Sequence, residues 1–157
     1  MDLKSLNPLW RDKKFWAAIT TALLFWVILF WIAPPRSLFL SWPLYAPGKF
    51  LMLALVYPVL EELVFRGLVQ GTIYNTQVGK KQFAKLSIAN ISASLFFVLV
   101  HFINHPPLWA LSVFVPSLIF GYFRDKYLSV VPAVVLHIFY NGGYFLLYPP
   151  LWTNLDD

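Results

Sequence analysis

Apolar side chains occur in five long runs that are separated by short segments rich in proline and charged residues. The runs cover residues 15–33, 49–75, 86–104, 108–123 and 130–147. A run of about 20 mainly apolar residues is long enough for an α-helix to cross the hydrocarbon core of a bilayer. A helix also satisfies its backbone hydrogen bonds internally, as that environment requires. The pattern therefore predicts an all-α fold, a polytopic transmembrane helix bundle of about five to six spans.

The runs divide a single predicted membrane domain, residues 1–157, into two parts. Basic residues precede the first run, and Pro34 and Pro35 follow it where a signal peptide would carry small residues for cleavage. Residues 1–33 are therefore predicted to be a cytoplasmic N-terminus and a retained signal-anchor helix. Residues 49–147 form the second part, which holds the ionisable side chains that lie inside apolar runs.

The composition agrees with a membrane protein and excludes several classes of chemistry. Hydrophobic residues make up 59% of the chain and charged residues 12%, with a mean hydropathy of +0.66. A soluble domain usually has about 25% charged residues. The absence of cysteine excludes disulfides, a thiol nucleophile and cysteine metal ligands. The net charge of +5 does not indicate nucleic-acid binding, because the basic residues cluster between the apolar runs.

The distribution of basic residues predicts the orientation in the membrane. With five spans, nine lysines and arginines lie on the side of the N-terminus and two on the other side, while Arg66 lies inside a span. Cytoplasmic loops are richer in lysine and arginine than external loops. We therefore predict an integral membrane protein with its N-terminus in the cytoplasm and its C-terminus outside.

The second run carries two adjacent carboxylates and an arginine, Glu61, Glu62 and Arg66. An ionisable side chain at the bilayer centre costs about 2.5–3.5 kcal/mol, so such residues usually face a bundle interior and have a function. Glu62 and Arg66 are spaced i, i+4 and are predicted to neutralise each other on one helix face. Glu61 is turned about 100° away, and a salt bridge alone would leave it unused. Pro58, one turn earlier, predicts a kink just before the pair.

Three further polar side chains, His101, His137 and Asn141, are predicted deep in later spans. His137 and Asn141 share a helix face. A rise of about 1.5 Å per residue gives these side chains and Glu61 overlapping depths in the bilayer. Such a set supports hydrolysis. A carboxylate acts as general base on water, one imidazole shares that water or protonates the leaving amine, and a second imidazole and an amide stabilise an oxyanion.

The polar residues of the runs form three ordered motifs, Glu61-Glu62-x-x-x-Arg66, Phe97-x-x-x-His101 and His137-x-x-x-Asn141. This order on successive hydrophobic segments resembles the CAAX-protease and bacteriocin-processing (CPBP, or Abi) family of intramembrane endopeptidases. The resemblance implies a helical protease of the glutamic type that hydrolyses a peptide bond in a membrane-associated protein or peptide, with residues 49–147 as its catalytic core. Small bacterial members, which this chain resembles in length, are associated with the processing of proteins that bear a C-terminal sorting helix.

The resemblance also implies a role for each residue. Glu61 would be the general base, assisted by His101, and His137 and Asn141 would form the oxyanion pair. The supporting residues would be Glu62, Arg66 and Phe97. No cofactor is implied. The implied partners are a membrane protein or peptide substrate and the lipid bilayer, without nucleic acid, in a bacterial inner membrane.

Two alternative classes of function remain open. A zinc-dependent intramembrane protease would use Glu61, His101 and His137 as ligands. Pro106, directly after His105, disfavours a zincin-like pair of His101 and His105 on one helix. A non-catalytic membrane immunity or binding protein, or a small proton-relaying transporter, would keep the scaffold without the reaction. The intact catalytic set argues against an inactive scaffold, and the absence of repeated halves argues against a transporter.

Overall fold

The computed structural model describes residues 7–35 and 38–150, most of which are helical. The α-helices are α1 (Asn7–Trp10), α2 (Lys13–Ile32), α3 (Trp42–Tyr45), α4 (Pro47–Leu51), α5 (Tyr57–Glu62), α6 (Gly71–Tyr74), α7 (Ile88–His101), α8 (Pro107–Ser112), α9 (Phe114–Tyr127) and α10 (Val131–Leu147). Two π-helical segments, π1 (Met52–Val56) and π2 (Leu63–Gln70), alternate with α4, α5 and α6. Within the described ranges the only strands are β1 (Gln82–Phe83) and β2 (Leu86–Ser87), which form an antiparallel hairpin. The prediction of an all-α fold is confirmed.

Two helical stretches in the described part of the chain are long and apolar enough to cross a membrane, Lys13–Ile32 and Pro107–Tyr127. Ile88–His101 and Val131–Leu147 are apolar but shorter. The first stretch coincides with the first apolar run, residues 15–33. These lengths do not confirm five to six spans, and that number stays a prediction.

The third apolar run, residues 86–104, predicts a span with His101 deep inside it. In the structure α7 ends at His101 itself, and a turn follows. Pro106 and Pro107 have no backbone N–H to donate to a helical hydrogen bond. A proline also disfavours the helical conformation at the residue before it. The helix therefore cannot continue through this segment. His101 therefore lies at a helix end rather than in the middle of a span.

The end of the fourth run also differs from the prediction. The charged residues 124–126 are predicted to close that run as a loop, but α9 continues to Tyr127. The helix ends at Leu128, which adopts a left-handed conformation with φ of 49°. Arg124 and Asp125 consequently lie on the last turns of a helix, where Asp125 can contact the neighbouring elements.

Three polar residues of the second run, Glu62, Arg66 and Gln70, lie on a stripe of buried side chains that recurs every four residues. The stripe consists of Ala54, Pro58, Glu62, Arg66 and Gln70. In an α-helix four residues advance about 400°, so such a stripe would drift by about 40° at each step. A π-helix has a wider turn, and π1 and π2 therefore reduce the drift. π1 ends at Val56, two residues before Pro58, the proline from which the sequence predicts a kink.

The chain forms two compact units. The first contains the residues up to Pro58 together with those from Leu136 onward, and the second contains Val59–Val135. The prediction of a single membrane domain over residues 1–157 is not tested by this division and stays a prediction.

In the first unit α2 packs against α10. The hydroxyl group of Tyr140 donates a hydrogen bond to the carbonyl oxygen of Ala18 at 2.9 Å. A Cβ atom on Gly143 would overlap the ring of Trp26, so the absence of a side chain at this position permits the close approach of the two helices. The first and last apolar runs are therefore in direct contact within this unit.

In the second unit α7 packs against α9 and π2. Several small and aromatic side chains of these two α-helices are buried, among them Ala89, Ala93 and Phe120. A Cβ atom on Gly121 would overlap the side-chain oxygen of Asn90. The close packing of α9 on α7 therefore depends on Gly121. This packing places polar side chains of both helices beside π2.

Candidate active site

The acidic pair lies at the junction of α5 and π2. Glu62 is fully buried, whereas Glu61 is partly exposed. The Nε atom of Arg66 donates a hydrogen bond to Oε2 of Glu62 at 3.1 Å, and neither side chain has accessible surface. The ion pair predicted from the i, i+4 spacing is therefore present. Of the two residues, only Glu61 has accessible surface.

Three neutral side chains also hold Arg66. Its Nη2 atom donates to the hydroxyl oxygen of Ser117 at 2.6 Å, and its Nη1 atom lies 3.4 Å from both Oε1 of Gln70 and the hydroxyl oxygen of Ser94. These partners come from π2, α7 and α9. The guanidinium group thus joins three elements of the second unit, and Glu62 supplies the balancing charge within hydrogen-bonding distance.

The network continues beyond Arg66 along the same stripe. The Nε2 atom of Gln70 donates to the carbonyl oxygen of Gly121 at 2.9 Å and to Oδ1 of Asp125 at 2.8 Å. The hydroxyl group of Ser87, which caps the N-terminus of α7, donates to the other oxygen of Asp125. The buried polar groups of π2 are thereby tied to both ends of the α7–α9 contact.

The sequence pattern does not predict several residues of this network, among them Gln70, Ser117 and Asp125. The four-residue step from Glu62 through Arg66 to Gln70 was the one sign of Gln70 in the sequence. Ser117 gave no sign, because a single serine in an apolar run is common. The charged residues 124–126 predict a loop, and only the continuation of α9 brings Asp125 into the second unit.

Phe97 connects the arginine network to His101. The guanidinium carbon of Arg66 lies 5.7 Å from the centroid of the Phe97 ring, which is within the range of a cation–π contact. The ring centroids of Phe97 and His101 are 4.3 Å apart. The buried ring of Phe97 therefore contacts both the charge of the ion pair and the imidazole.

The hydrogen bond of His101 determines its tautomer. Nδ1 lies 2.7 Å from the carbonyl oxygen of Phe97. A carbonyl oxygen can only accept, so Nδ1 carries the proton, and the lone pair of the neutral ring lies on Nε2. The ring also stacks on Trp109, with the centroids 5.8 Å apart. His101 is therefore held at the end of α7 with Nε2 as its acceptor atom.

His137 and Asn141 lie on α10, one turn apart, and belong to the first unit, whereas Glu61 and His101 belong to the second. His137 is 5% exposed, and Asn141 is partly exposed. The Nδ2 atom of Asn141 donates to the carbonyl oxygen of Leu53 in π1 at 3.3 Å. The shared helix face of the two residues agrees with the sequence, and their convergence with Glu61 and His101 stays a prediction.

The residues proposed as alternative zinc ligands are Glu61, His101 and His137. Among the described residues, no group of three histidine, aspartate or glutamate side chains is placed to hold a metal ion. The rings of His101 and His105 stack with centroids 5.8 Å apart. Both the metal-free mechanism and the zinc mechanism stay predictions, which elemental analysis of the purified protein can distinguish.

Comparison with known proteins identifies the family. Residues 42–143 match the sequence model of the family described as type II CAAX prenyl endopeptidase Rce1-like. No curated protein and no solved structure matched the chain. The matched range holds all three motifs that carry the resemblance, from the acidic pair to Asn141. Because the match extends over more than half of its length, the chain belongs to the type II CAAX prenyl endopeptidase Rce1-like family of membrane-embedded proteases, as the motifs predict.

Proposed function

We propose that the protein is an intramembrane endopeptidase of the glutamic type that cleaves a peptide bond in a membrane-associated protein or peptide. The observation that carries this proposal is the division of the acidic pair. Glu62 is buried in an ion pair with Arg66, and Glu61 is partly exposed on the adjacent face. A carboxylate committed to a buried arginine is unsuited to remove a proton from water, so Glu61 is the general base.

His101 assists Glu61 in this mechanism. With its proton on Nδ1, the imidazole offers the lone pair of Nε2 to the attacking water molecule. Glu61 removes one proton of the water as the oxygen atom adds to the carbonyl carbon of the substrate. The carbon–nitrogen bond then breaks as this proton is delivered to the leaving amine, so that the carboxylate is regenerated at the end of the cycle.

His137 and Asn141 stabilise the oxyanion that forms on the carbonyl oxygen. Both lie on one face of α10, one turn apart, and each can present an N–H group. Removal of one oxyanion donor usually costs about 10²–10³ in rate rather than all activity. Glu62, Arg66 and Phe97 keep the elements around the acidic pair in place, and no metal ion takes part.

The family description names a CAAX prenyl endopeptidase, so a farnesylated CAAX peptide is the first substrate to test. A membrane protein with a C-terminal sorting helix is the second. Both present a scissile bond near a hydrophobic group that partitions into the bilayer, which suits a protease whose carboxylate lies within an apolar run. The proposed site of action is a bacterial inner membrane.

The test compares two conservative variants of neighbouring residues, Glu61→Gln and Glu62→Gln. Each is purified in detergent and incubated with either substrate, and products are identified by mass spectrometry. Glu61→Gln should abolish cleavage while its unfolding temperature stays close to that of the wild type. Glu62→Gln should retain cleavage below its unfolding temperature, although that temperature is lower.

Asn141→Ala should retain weak cleavage, which separates an oxyanion donor from the general base. Wild-type rates in folded Glu61→Gln would refute the assignment of the base. If the folded wild type binds these substrates without cleaving them, and Glu61→Gln binds them equally well, the non-catalytic immunity or binding function replaces the protease.

A further inference from the structure

One backbone carbonyl group in π1 lacks its regular helical partner. In an α-helix the carbonyl oxygen of Leu53 would accept a hydrogen bond from the N–H of Tyr57. Here the N–H of Tyr57 donates to the carbonyl oxygen of Met52 instead, in the i to i+5 pattern of a π-helix. The same pattern would pair Leu53 with residue 58, which is proline and has no N–H.

A side chain from another helix takes the place of this missing donor. The Nδ2 atom of Asn141, on α10, lies 3.3 Å from the carbonyl oxygen of Leu53. Both residues belong to the first unit. This hydrogen bond is partly buried, and a carbonyl group that loses its partner away from water carries a desolvation cost. Asparagine is suited to this position because its amide has two N–H groups, so one can bind Leu53 while the other stays available.

We propose that Asn141 is a positioning residue that holds open the π-helical turn before Pro58, and so fixes where the following turn presents Glu61. Without this hydrogen bond, the turn has to leave the carbonyl group of Leu53 unsatisfied or to rearrange. Glu61 follows Pro58 by three residues in the same succession of helical segments. The consequence for catalysis rests on the proposed function, whereas the hydrogen bond can be tested without any substrate.

The test is a double-mutant cycle between Asn141→Leu and Pro58→Ala. Asn141→Leu removes the donor at similar volume. Pro58→Ala supplies a backbone N–H, which allows Leu53 to regain a helical partner in either the α or the π pattern. The unfolding temperature in detergent is measured for the wild type, both single variants and the double variant. Pro132→Ala, in the first turn of α10 where a proline removes no helical hydrogen bond, replaces Pro58→Ala in a parallel control cycle.

If Asn141 holds the turn, Asn141→Leu should lower the unfolding temperature by about 3–8 °C. The same substitution should have a clearly smaller effect in the Pro58→Ala background, and an undiminished effect in the Pro132→Ala background. Equal effects of Asn141→Leu in all three backgrounds would refute the proposal, because the carbonyl group of Leu53 would then not depend on this side chain.

Kinetic measurement separates positioning from a purely structural role. In the double variant kcat should recover by about tenfold over Asn141→Leu alone, with KM unchanged, since the base is returned to its place but the oxyanion donor is still missing. Recovery of the unfolding temperature without recovery of kcat would refute the positioning role. The proposed function fails separately, through activity in Glu61→Gln, and this outcome would leave the coupling in unfolding temperature unchanged.

Discussion

Removing the charge of Glu62 is the sharpest test of the buried network. The substitution Glu62→Gln keeps the volume of the side chain and an oxygen atom that can accept from Nε of Arg66. The change therefore affects the charge of the pair and little else. The structure places three other side chains within hydrogen-bonding distance of Arg66, and all of them are neutral: Ser117, Gln70 and Ser94.

The magnitude follows from the burial of the pair. Neither Glu62 nor Arg66 has accessible surface, and the bond between them is 3.1 Å long. Removing one member of a buried ion pair usually costs about 3–5 kcal/mol. We expect about 3 kcal/mol for Glu62→Gln, because the hydrogen bond survives. For a chain of this size, a free-energy change of that magnitude lowers the unfolding temperature by about 6–12 °C.

The assay is thermal unfolding in detergent, followed by the intrinsic fluorescence of the 7 tryptophans. Glu61→Gln is the matched control, because it makes the same chemical change one position earlier on a partly exposed side chain. Its unfolding temperature should stay within about 2 °C of the wild type. A third variant, Glu62→Gln with Arg66→Met, removes both charges and should be more stable than Glu62→Gln alone.

Equal destabilisation by Glu61→Gln and Glu62→Gln would refute this reasoning, since the two carboxylates would then have equivalent surroundings. A double variant less stable than Glu62→Gln would also contradict it. In that case the cost would come from lost hydrogen bonds of Arg66 and not from its unbalanced charge.

Three further predictions concern packing, orientation and the metal. Gly121→Ala should destabilise the protein by about 1–3 kcal/mol in unfolding experiments, because its Cβ atom would overlap the side chain of Asn90. Gly142→Ala is the control and should be neutral or slightly stabilising, because its Cβ atom would meet no atom of the described residues within 4 Å. A reporter fused to the C-terminus should be active on the external side, and cytoplasmic activity would mean an even number of spans. Purified active protein should contain no stoichiometric zinc by elemental analysis, and activity lost to a chelator and restored by zinc would overturn the glutamic mechanism.

Local sequence pattern was sufficient for the features that depend on neighbours along one helix. The apolar runs at residues 15–33 and 130–147 agree closely with α2 and α10, because an uninterrupted apolar run in a membrane protein has few alternatives to a helix. The pairing of Glu62 with Arg66 also followed from spacing alone, since side chains four residues apart lie on one face. The order of the motifs along the chain likewise indicates the family.

The tertiary structure alone decided the features that depend on distant parts of the chain. Arg66 bonds to Ser94 and Ser117, which lie 28 and 51 positions away, and Asn141 bonds to Leu53, which lies 88 positions away. No periodicity links such residues, because their contact depends on how helices pack and on which glycines permit a close approach. The buried residues from Ala54 to Gln70 recur every four positions, whereas a regular helix repeats every 3.6 residues. Only the structure shows the two π-helical segments that reconcile this stripe with a helix.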